Sequence, residues 1–274
     1  MYINCKGKLI DLTTPKVMGI LNITPDSFYD GGRRQSITEH LNLAKKMLQE
    51  GTDFIDVGAY SSRPGAKDIS EEEELQRVLP VIDALVETFP EIIISIDTFR
   101  SEVARQGVEA GAAMVNDISA GNLDEKMMKT VAKLKVPYII MHMKGTPQTM
   151  KDLNQYEDLT QDILYYFSEK FDKARALGIN DLIIDPGFGF SKNIDQNFEL
   201  LSRLDLLKNL ELPILAGLSR KSLIYKTFKT TPDNALNGTT VLNTVALLKG
   251  AHILRVHDVK EAVECIKLMQ RLEN

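Results

Sequence analysis

From residue 17 onward the chain alternates two hydrophobic patterns. Short runs that are apolar nearly throughout, and that end on polar residues, recur at 17–22, 54–58, 92–97, 114–117, 138–142, 182–185, 214–217 and 252–257. Runs of this length without in–out alternation suit parallel strands buried on both faces. Amphipathic stretches lie between them. Residues 36–50 place Ile37, Leu41, Ala44 and Leu48 on one helical face and stop at Gly51. Ser70-Glu71-Glu72-Glu73 has the form of a capping box opening a helix toward Phe89. Negative charge is favourable at a helix N-terminus, which accounts for that acidic run without a functional role. Further helices are expected over 101–110, 124–134, 159–177, 195–207, 232–249 and 258–271, with Gly111, Gly178 and Gly250 where three of them should end.

Strands that are each followed by a helix predict an α/β fold, a single (β/α)8 TIM barrel, rather than an open sheet. Ahead of it, 2–5 and 8–11 flank Lys6-Gly7 as a short β-hairpin. Two such strands are not stable alone, so residues 1–12 are expected to close one end of the barrel. The 274 residues match the ~250 that such a barrel typically needs. No linker shifts in composition, so residues 1–274 are expected to form one domain. Two strand-to-helix loops, 23–35 and 59–69, are long and rich in Gly, Pro, Ser and charge, which suits lids over a site.

Composition narrows the function classes. A net charge of -5 without any Lys/Arg tract argues against nucleic-acid binding. No apolar stretch is long enough to span a bilayer, and residues 1–6 lack an apolar signal core, so no membrane partner and a cytoplasmic location are expected. Cys5 and Cys265 stand apart without metal-type spacing, as free thiols of a reducing compartment.

Barrels of this type place their chemistry at the carboxyl ends of the strands. Those ends carry Asn22, Asp56, Asp97, Asn116, Asp117, His142, Asp185 and the pair Arg255/His257. Alternation puts Arg255 and His257 on one face of the last strand, where a guanidinium and an imidazole could share a phosphate. Asp97 shares a face with Ser95, Asn116 with Met114 and Asp185 with Ile183; if those faces point inward, three acceptor or amide groups converge. Asp56 and Asp117 are adequately explained as caps of the following helices. Carboxylates match paired N–H donors such as an aminopyrimidine edge, and an Asn adds one donor and one acceptor. Lys221, in Ser219-Arg220-Lys221-Ser222, follows the seventh strand, where barrel phosphate sites often lie. His142 has no second ligand at zinc spacing and is read as a support behind the site. His40, on a polar helix face, needs no function. Met141 and Met143 are read as packing.

Ordered along the chain, these residues carry a family signature. Asn22-Ile23-Thr24-Pro25-Asp26-Ser27-Phe28 with Gly31-Gly32, Ser61-Ser62-Arg63-Pro64-Gly65, Ile96-Asp97-Thr98 and Asn116-Asp117-Ile118-Ser119 resemble the dihydropteroate synthase family. So do Asp185-Pro186-Gly187-Phe188-Gly189-Phe190, Ser219-Arg220-Lys221-Ser222 and Arg255-Val256-His257-Asp258. The resemblance implies condensation of 6-hydroxymethyl-7,8-dihydropterin diphosphate with 4-aminobenzoate, giving 7,8-dihydropteroate and pyrophosphate in folate synthesis, the reaction class that sulfonamides target. It implies pterin contacts at Asp97, Asn116, Asp185 and Lys221, and diphosphate contacts at Asn22, Ser62, Arg255 and His257. Asn22 would also meet Mg²⁺. Phe28, Arg63, Pro64, Phe190, Lys221 and Ser222 would form the aminobenzoate side and its loops, in a homodimer. Catalysis is expected to rest on Asp97, Asp185, Lys221, Arg255 and His257. Tyr60 and Ser62 depart from the usual Gly-Glu-Ser-Thr-Arg-Pro-Gly loop, replacing its Glu and Thr. Two alternatives are a methyltetrahydrofolate methyltransferase barrel, against which the phosphate-type motifs count, and a non-catalytic pterin-binding protein.

Overall fold

A computed structural model of the chain describes residues 1–23, 33–60 and 68–272. Its elements run β1 (Tyr2–Cys5), β2 (Lys8–Asp11), β3 (Lys16–Asn22), α1 (Arg33–Glu50), β4 (Phe54–Gly58), α2 (Glu71–Thr88), β5 (Ile94–Asp97), α3 (Ser101–Ala110), β6 (Met114–Asp117) and α4 (Met127–Leu134). Then follow β7 (Tyr138–Met141), α5 (Leu159–Ala176), β8 (Leu182–Asp185), α6 (Ile194–Ser202), β9 (Leu215–Ala216), α7 (Ser222–Thr227), α8 (Leu236–Leu248), β10 (Ile253–Val256) and α9 (Val259–Leu272). Among the described residues, β3 to β10 form one eight-stranded sheet in the order β8-β7-β6-β5-β4-β3-β10-β9, and its pairs are parallel. A parallel bridge between Ile184 and Ile214 joins the two ends and closes the barrel.

Strand parity divides the core in two. Val17, Ile55, Val57, Ile94, Ile96, Val115, Ile140, Ile184 and Leu254 face outward, packed with the helices. Met18, Phe54, Met114, Ile139, Ile183, Leu215 and Ile253 fill the barrel interior with Ile3, Cys5 and Leu12. The antiparallel β1–β2 hairpin therefore plugs the end where the strands begin, as its lack of independent stability demands. That leaves the carboxyl ends open to a ligand. Both cysteines are buried free thiols, and burial pushes Cys5 up to about 12.

The helices differ from the sequence expectation in three places. The stretch 195–207 splits into α6 and a 3₁₀ turn Leu204–Leu210, and 232–249 into a 3₁₀ turn Pro232–Asn234 and α8. The short α7 was not expected. On α1 the fully buried stripe is His40, Ala44 and Met47, so His40 faces the core instead of a polar surface. At α2, Ser70 accepts from the Glu73 backbone N–H at 3.1 Å, whereas the Glu73 carboxylate pairs with Arg77. None of the described helices is long and apolar enough to cross a membrane.

Candidate active site

The inward-facing strand positions deliver Asp56, Asp97, Asn116, Asp185 and Arg255 to the carboxyl end of the barrel, where the parity of Phe54, Ser95, Met114, Ile183 and Ile253 carries them. Asp97 and Asn116 are paired neighbours across β5 and β6. The Arg255 guanidinium reaches from β10 to two other strands: Nε donates to Asp56 Oδ2 at 2.6 Å and Nη2 to Asp97 Oδ2 at 2.7 Å. Asn116 Nδ2 also donates to Asp56 Oδ2, at 2.9 Å. Asp56 is thus a buried hub and not the helix cap that the sequence suggested. Its shared parity with Phe54 was the signal that could have found it. Its second oxygen, Oδ1, is buried and has no partner among the described residues. Burial and the neighbouring Asp56 charge push the Asp97 carboxyl above the usual range, with Arg255 pulling the other way. Two of the five guanidinium hydrogens are spent on these acids; among the described residues the others have no partner and can meet an incoming oxygen.

Asp117 is structural, as expected, but it braces the turn after β6 and does not cap the following helix, which begins only at Met127. It accepts from Ser119 N, Ser119 Oγ and Gly121 N, each at 2.7 Å, and from the Tyr138 hydroxyl at 2.6 Å.

On the other wall, Asp185 accepts from Gly187 N at 2.8 Å. Burial raises its pKa, opposed first by Lys221. The Lys221 ammonium donates to the Phe188 carbonyl and lies 4.8 Å from the centre of the Phe190 ring. Burial lowers Lys221 to about 8. Ser222 opens α7 directly beyond it. Phe190 packs against Ile118, Met141, Met143 and Met150, so the methionines serve as packing, as expected.

Ser219 is a residue whose role the sequence did not disclose. Its Oγ accepts from the His257 backbone N–H at 3.1 Å and lies 3.0 Å from Nδ1 of the same residue. In the neutral ring, hydroxyl donation to Nδ1 puts the ring proton on Nε2. Arg220 and Asp258, both inside signature motifs, are committed to each other through two 2.8 Å hydrogen bonds. Arg220 also donates to the carbonyls of Pro232 and Asp233, so it braces the segment after β9 against the end of β10. Asn22 ends β3 with its side chain exposed.

The loop departure has a structural counterpart. The Tyr60 ring meets Phe99 edge-on at 4.9 Å and lies 5.4 Å beneath the Arg100 guanidinium, while Gln148 donates to the hydroxyl at 2.9 Å. Arg100 also binds the Ile69 carbonyl and pairs with Glu74, which is 1% exposed. The acidic run at the start of α2 thus contributes a buried anchor in addition to helix capping. Phe28, Ser62, Arg63 and Pro64 lie outside the described residues.

A cleft of about 390 Å³ opens at the opposite end, beneath the hairpin. Its lysines are paired, Lys8 with Glu91 and Lys16 with Asp53, each at 3.6 Å, and its Asp11 accepts from Thr13 N at 2.9 Å. It lacks the convergent acceptors of the other end.

A parallel barrel with buried carboxylates, an amide and cations at the carboxyl ends has the features of a ring-binding enzyme. The family model described as "Pterin binding enzyme" matches residues 18–257, which span all eight barrel strands. The Escherichia coli (strain K12) dihydropteroate synthase is 42% identical over 272 residues, covering 98% of this chain and 96% of that protein. A Yersinia pestis dihydropteroate synthase solved with a sulfonamide drug superposes with a TM-score of 0.93 at 40% identity, over 100% of this chain and 99% of that one. A Xanthomonas albilineans dihydropteroate synthase in complex with 7,8-dihydropteroate gives 0.89 at 36% identity, over 100% and 99%. The chain belongs to the dihydropteroate synthase family of pterin-binding enzymes.

Proposed function

We propose that the chain joins 4-aminobenzoate to 6-hydroxymethyl-7,8-dihydropterin diphosphate, releasing pyrophosphate and 7,8-dihydropteroate, as a transferase of folate biosynthesis. The observation that carries this reading is the convergence of Asp97, Asn116 and Asp185 beside Arg255 and Lys221 at one barrel mouth. Ring N–H groups suit buried carboxylates, whose desolvation strengthens each hydrogen bond to the ligand. The Asn116 amide, with one hydrogen already committed to Asp56, keeps its carbonyl for the ring edge.

In this reading the exocyclic C–O bond to the diphosphate breaks as charge grows on the leaving group. The resulting cation is delocalised into the pterin, with the Asp97 and Asp185 carboxylates beside it. The remaining N–H groups of Arg255 take the leaving oxygens, with the His257 ring beside them, the kind of charge stabilisation that often dominates catalysis. The aminobenzoate nitrogen then forms the new C–N bond at the methylene carbon and gives up a proton. An aniline nitrogen is already nucleophilic, so no strong base is needed. Phe190, Lys221 and Ser222 border the amine, with Phe28, Arg63 and Pro64 expected to complete that side and Ser62 the diphosphate side.

Mg²⁺ belongs to the proposal too. Among the described residues no group of three His, Cys, Asp or Glu is placed to hold a metal ion. Mg²⁺ keeps several waters and binds largely through substrate phosphates, and the Asn22 amide oxygen would be its protein ligand. When bound, the ion would neutralise charge on the diphosphate.

We read the chain as one cytoplasmic domain that pairs as a homodimer. Helix α8 exposes Val241 and Leu248, and α9, on which it packs, exposes Leu268 and Leu272. Large exposed apolar side chains on two packed helices suit an association surface. The test of the reaction is pyrophosphate release by the purified protein with dihydropterin diphosphate, Mg²⁺ and 4-aminobenzoate, each omitted in turn. Release that requires the amine and yields dihydropteroate is expected; pterin binding without release would point to a non-catalytic binding protein.

A further inference from the structure

The turn after β8 is held from beneath by a lysine that the mechanism above does not use. Lys192 Nζ lies 3.1 Å from the Gly187 carbonyl, 3.0 Å from the Phe190 carbonyl and 3.0 Å from Nδ1 of His142. An ammonium has three hydrogens and no acceptor. Three acceptors surround it, so the charged form is fully satisfied when His142 is neutral with its proton on Nε2. His142 is 2% exposed, and burial, together with Lys192 and Lys144, drives its pKa well below the ordinary value.

The same turn is stapled at its far end. Ser191 adopts φ +50° and its Oγ accepts from Lys144 N at 2.8 Å and donates to Lys144 O at 2.9 Å. The Tyr156 hydroxyl donates to the Ser191 carbonyl at 2.8 Å. With Lys221 on the Phe188 carbonyl, the carbonyls at 187, 188 and 190 all accept from a lysine. Phe190 rides on this turn.

We propose that Lys192 is a positioning residue for the amine substrate: by fixing the carbonyls of Gly187 and Phe190 against His142, it sets the Phe190 ring and so the affinity for 4-aminobenzoate. The inference rests on the reaction proposed above and on Phe190 bordering the amine. It also carries a pH dependence. The groups facing Lys192 are His142 and Lys144 from the end of β7 and beyond it, Asp185 from β8, and Lys221 from the segment after β9. Burial lowers Lys192 to about 7, with Asp185 opposing and the other two lysines adding to the shift. A neutral amine has only two hydrogens, so raising the pH alters the arrangement in either of two ways: one of the three acceptors loses its donor, or the His142 proton moves to Nδ1 and the contact with Lys192 reverses. The aminobenzoate carboxylate stays ionised across that range and contributes no inflection of its own.

The test is steady-state kinetics of the full chain from pH 6 to 9, with saturating dihydropterin diphosphate and Mg²⁺ and varied 4-aminobenzoate. In the wild type the amine KM should rise as pH passes about 7. At pH 6.5, Lys192→Met should raise that KM about tenfold, the loss of roughly one charge-assisted contact. Its kcat and its KM for the pterin diphosphate should stay close to wild type, and the step near pH 7 should vanish. Lys192→Arg keeps the charge and should also lack the step, while any inflection from Lys221 near 8 persists. An unmoved amine KM in Lys192→Met, an equal loss toward both substrates, or a flat wild-type profile through pH 7 would each overturn the proposal. If Lys192→Met does not fold, the wild-type profile and Lys192→Arg decide. Absence of product from the wild type counts against the reaction itself, whereas wild-type turnover with an unaltered variant removes only the role of Lys192.

Discussion

Arg255 and Asp185 both face the proposed pterin diphosphate, yet only the replacement of Arg255 should weaken the fold. Arg255 neutralises Asp56, whose side chain is 0% exposed, and Asp97, so Arg255→Ala leaves two acids without their cation. Breaking a buried pair from one side costs about 3 kcal/mol, so this variant should lose turnover and melt at a clearly lower temperature. Among the described residues Asp185 pairs with no cation at hydrogen-bond distance; it accepts from a backbone N–H, and burial disfavours its charge. Asp185→Asn should weaken pterin binding about a hundredfold, measured by calorimetry, and leave the melting temperature nearly unchanged. Asp97 adds a pH test. Its folded-state pKa lies above the unfolded value of about 4, so its contribution to stability is fullest below that pH and is lost as pH rises toward the folded value. The wild-type melting temperature should therefore fall relative to Asp97→Asn between about pH 4 and neutrality. A constant difference across that window would remove Asp97 as the source.

The turn from Gly187 to Ser191 is tightly constrained. Gly187 has φ +72°, and a Cβ there would sit 2.1 Å from the His142 carbonyl oxygen, a backbone atom that cannot rotate away. Gly187→Ala should cost about 2 kcal/mol or more and lower aminobenzoate affinity together with stability, read by thermal unfolding and amine KM. Tyr60 illustrates a different substitution of means. Where the family loop usually carries a carboxylate, this chain uses an aromatic edge, a guanidinium over the ring and a glutamine hydrogen bond to link the segments after β4, β5 and β7. The sequence exposed the departure but not its replacement, because Phe99, Arg100 and Gln148 are remote along the chain and meet only when the strands are placed side by side.

For the whole molecule, the closed barrel explains why one end is chemical and the other is not. The hairpin fills one mouth with Ile3, Cys5 and Leu12, and the acids and cations occupy the other. Outside the barrel, the exposed apolar residues of α8 and α9 make self-association testable. Val241→Glu with Leu248→Glu should convert a dimer to a monomer in sedimentation analysis while leaving the described site intact; a monomeric wild type would remove the homodimer reading.

The sequence by itself determined the alternation of strands and helices, the plugging hairpin, the strand-end places of Asp97, Asn116, Asp185 and Arg255 and the faces they share, and the motifs shared with the dihydropteroate synthases. These are local properties: period, capping and order along the chain record them directly. Tertiary structure alone decided that Asp56 is a hub, that Arg255 spans three strands, that Arg220 belongs to Asp258, and that Lys192 holds the turn bearing Phe190. Each of these depends on which side chain a long, flexible donor reaches after the barrel closes. Strand parity puts Arg255 on the face of Ile253; only the closed geometry turns that face inward and brings its guanidinium, some 200 residues along the chain from Asp56, within 2.6 Å of that carboxylate.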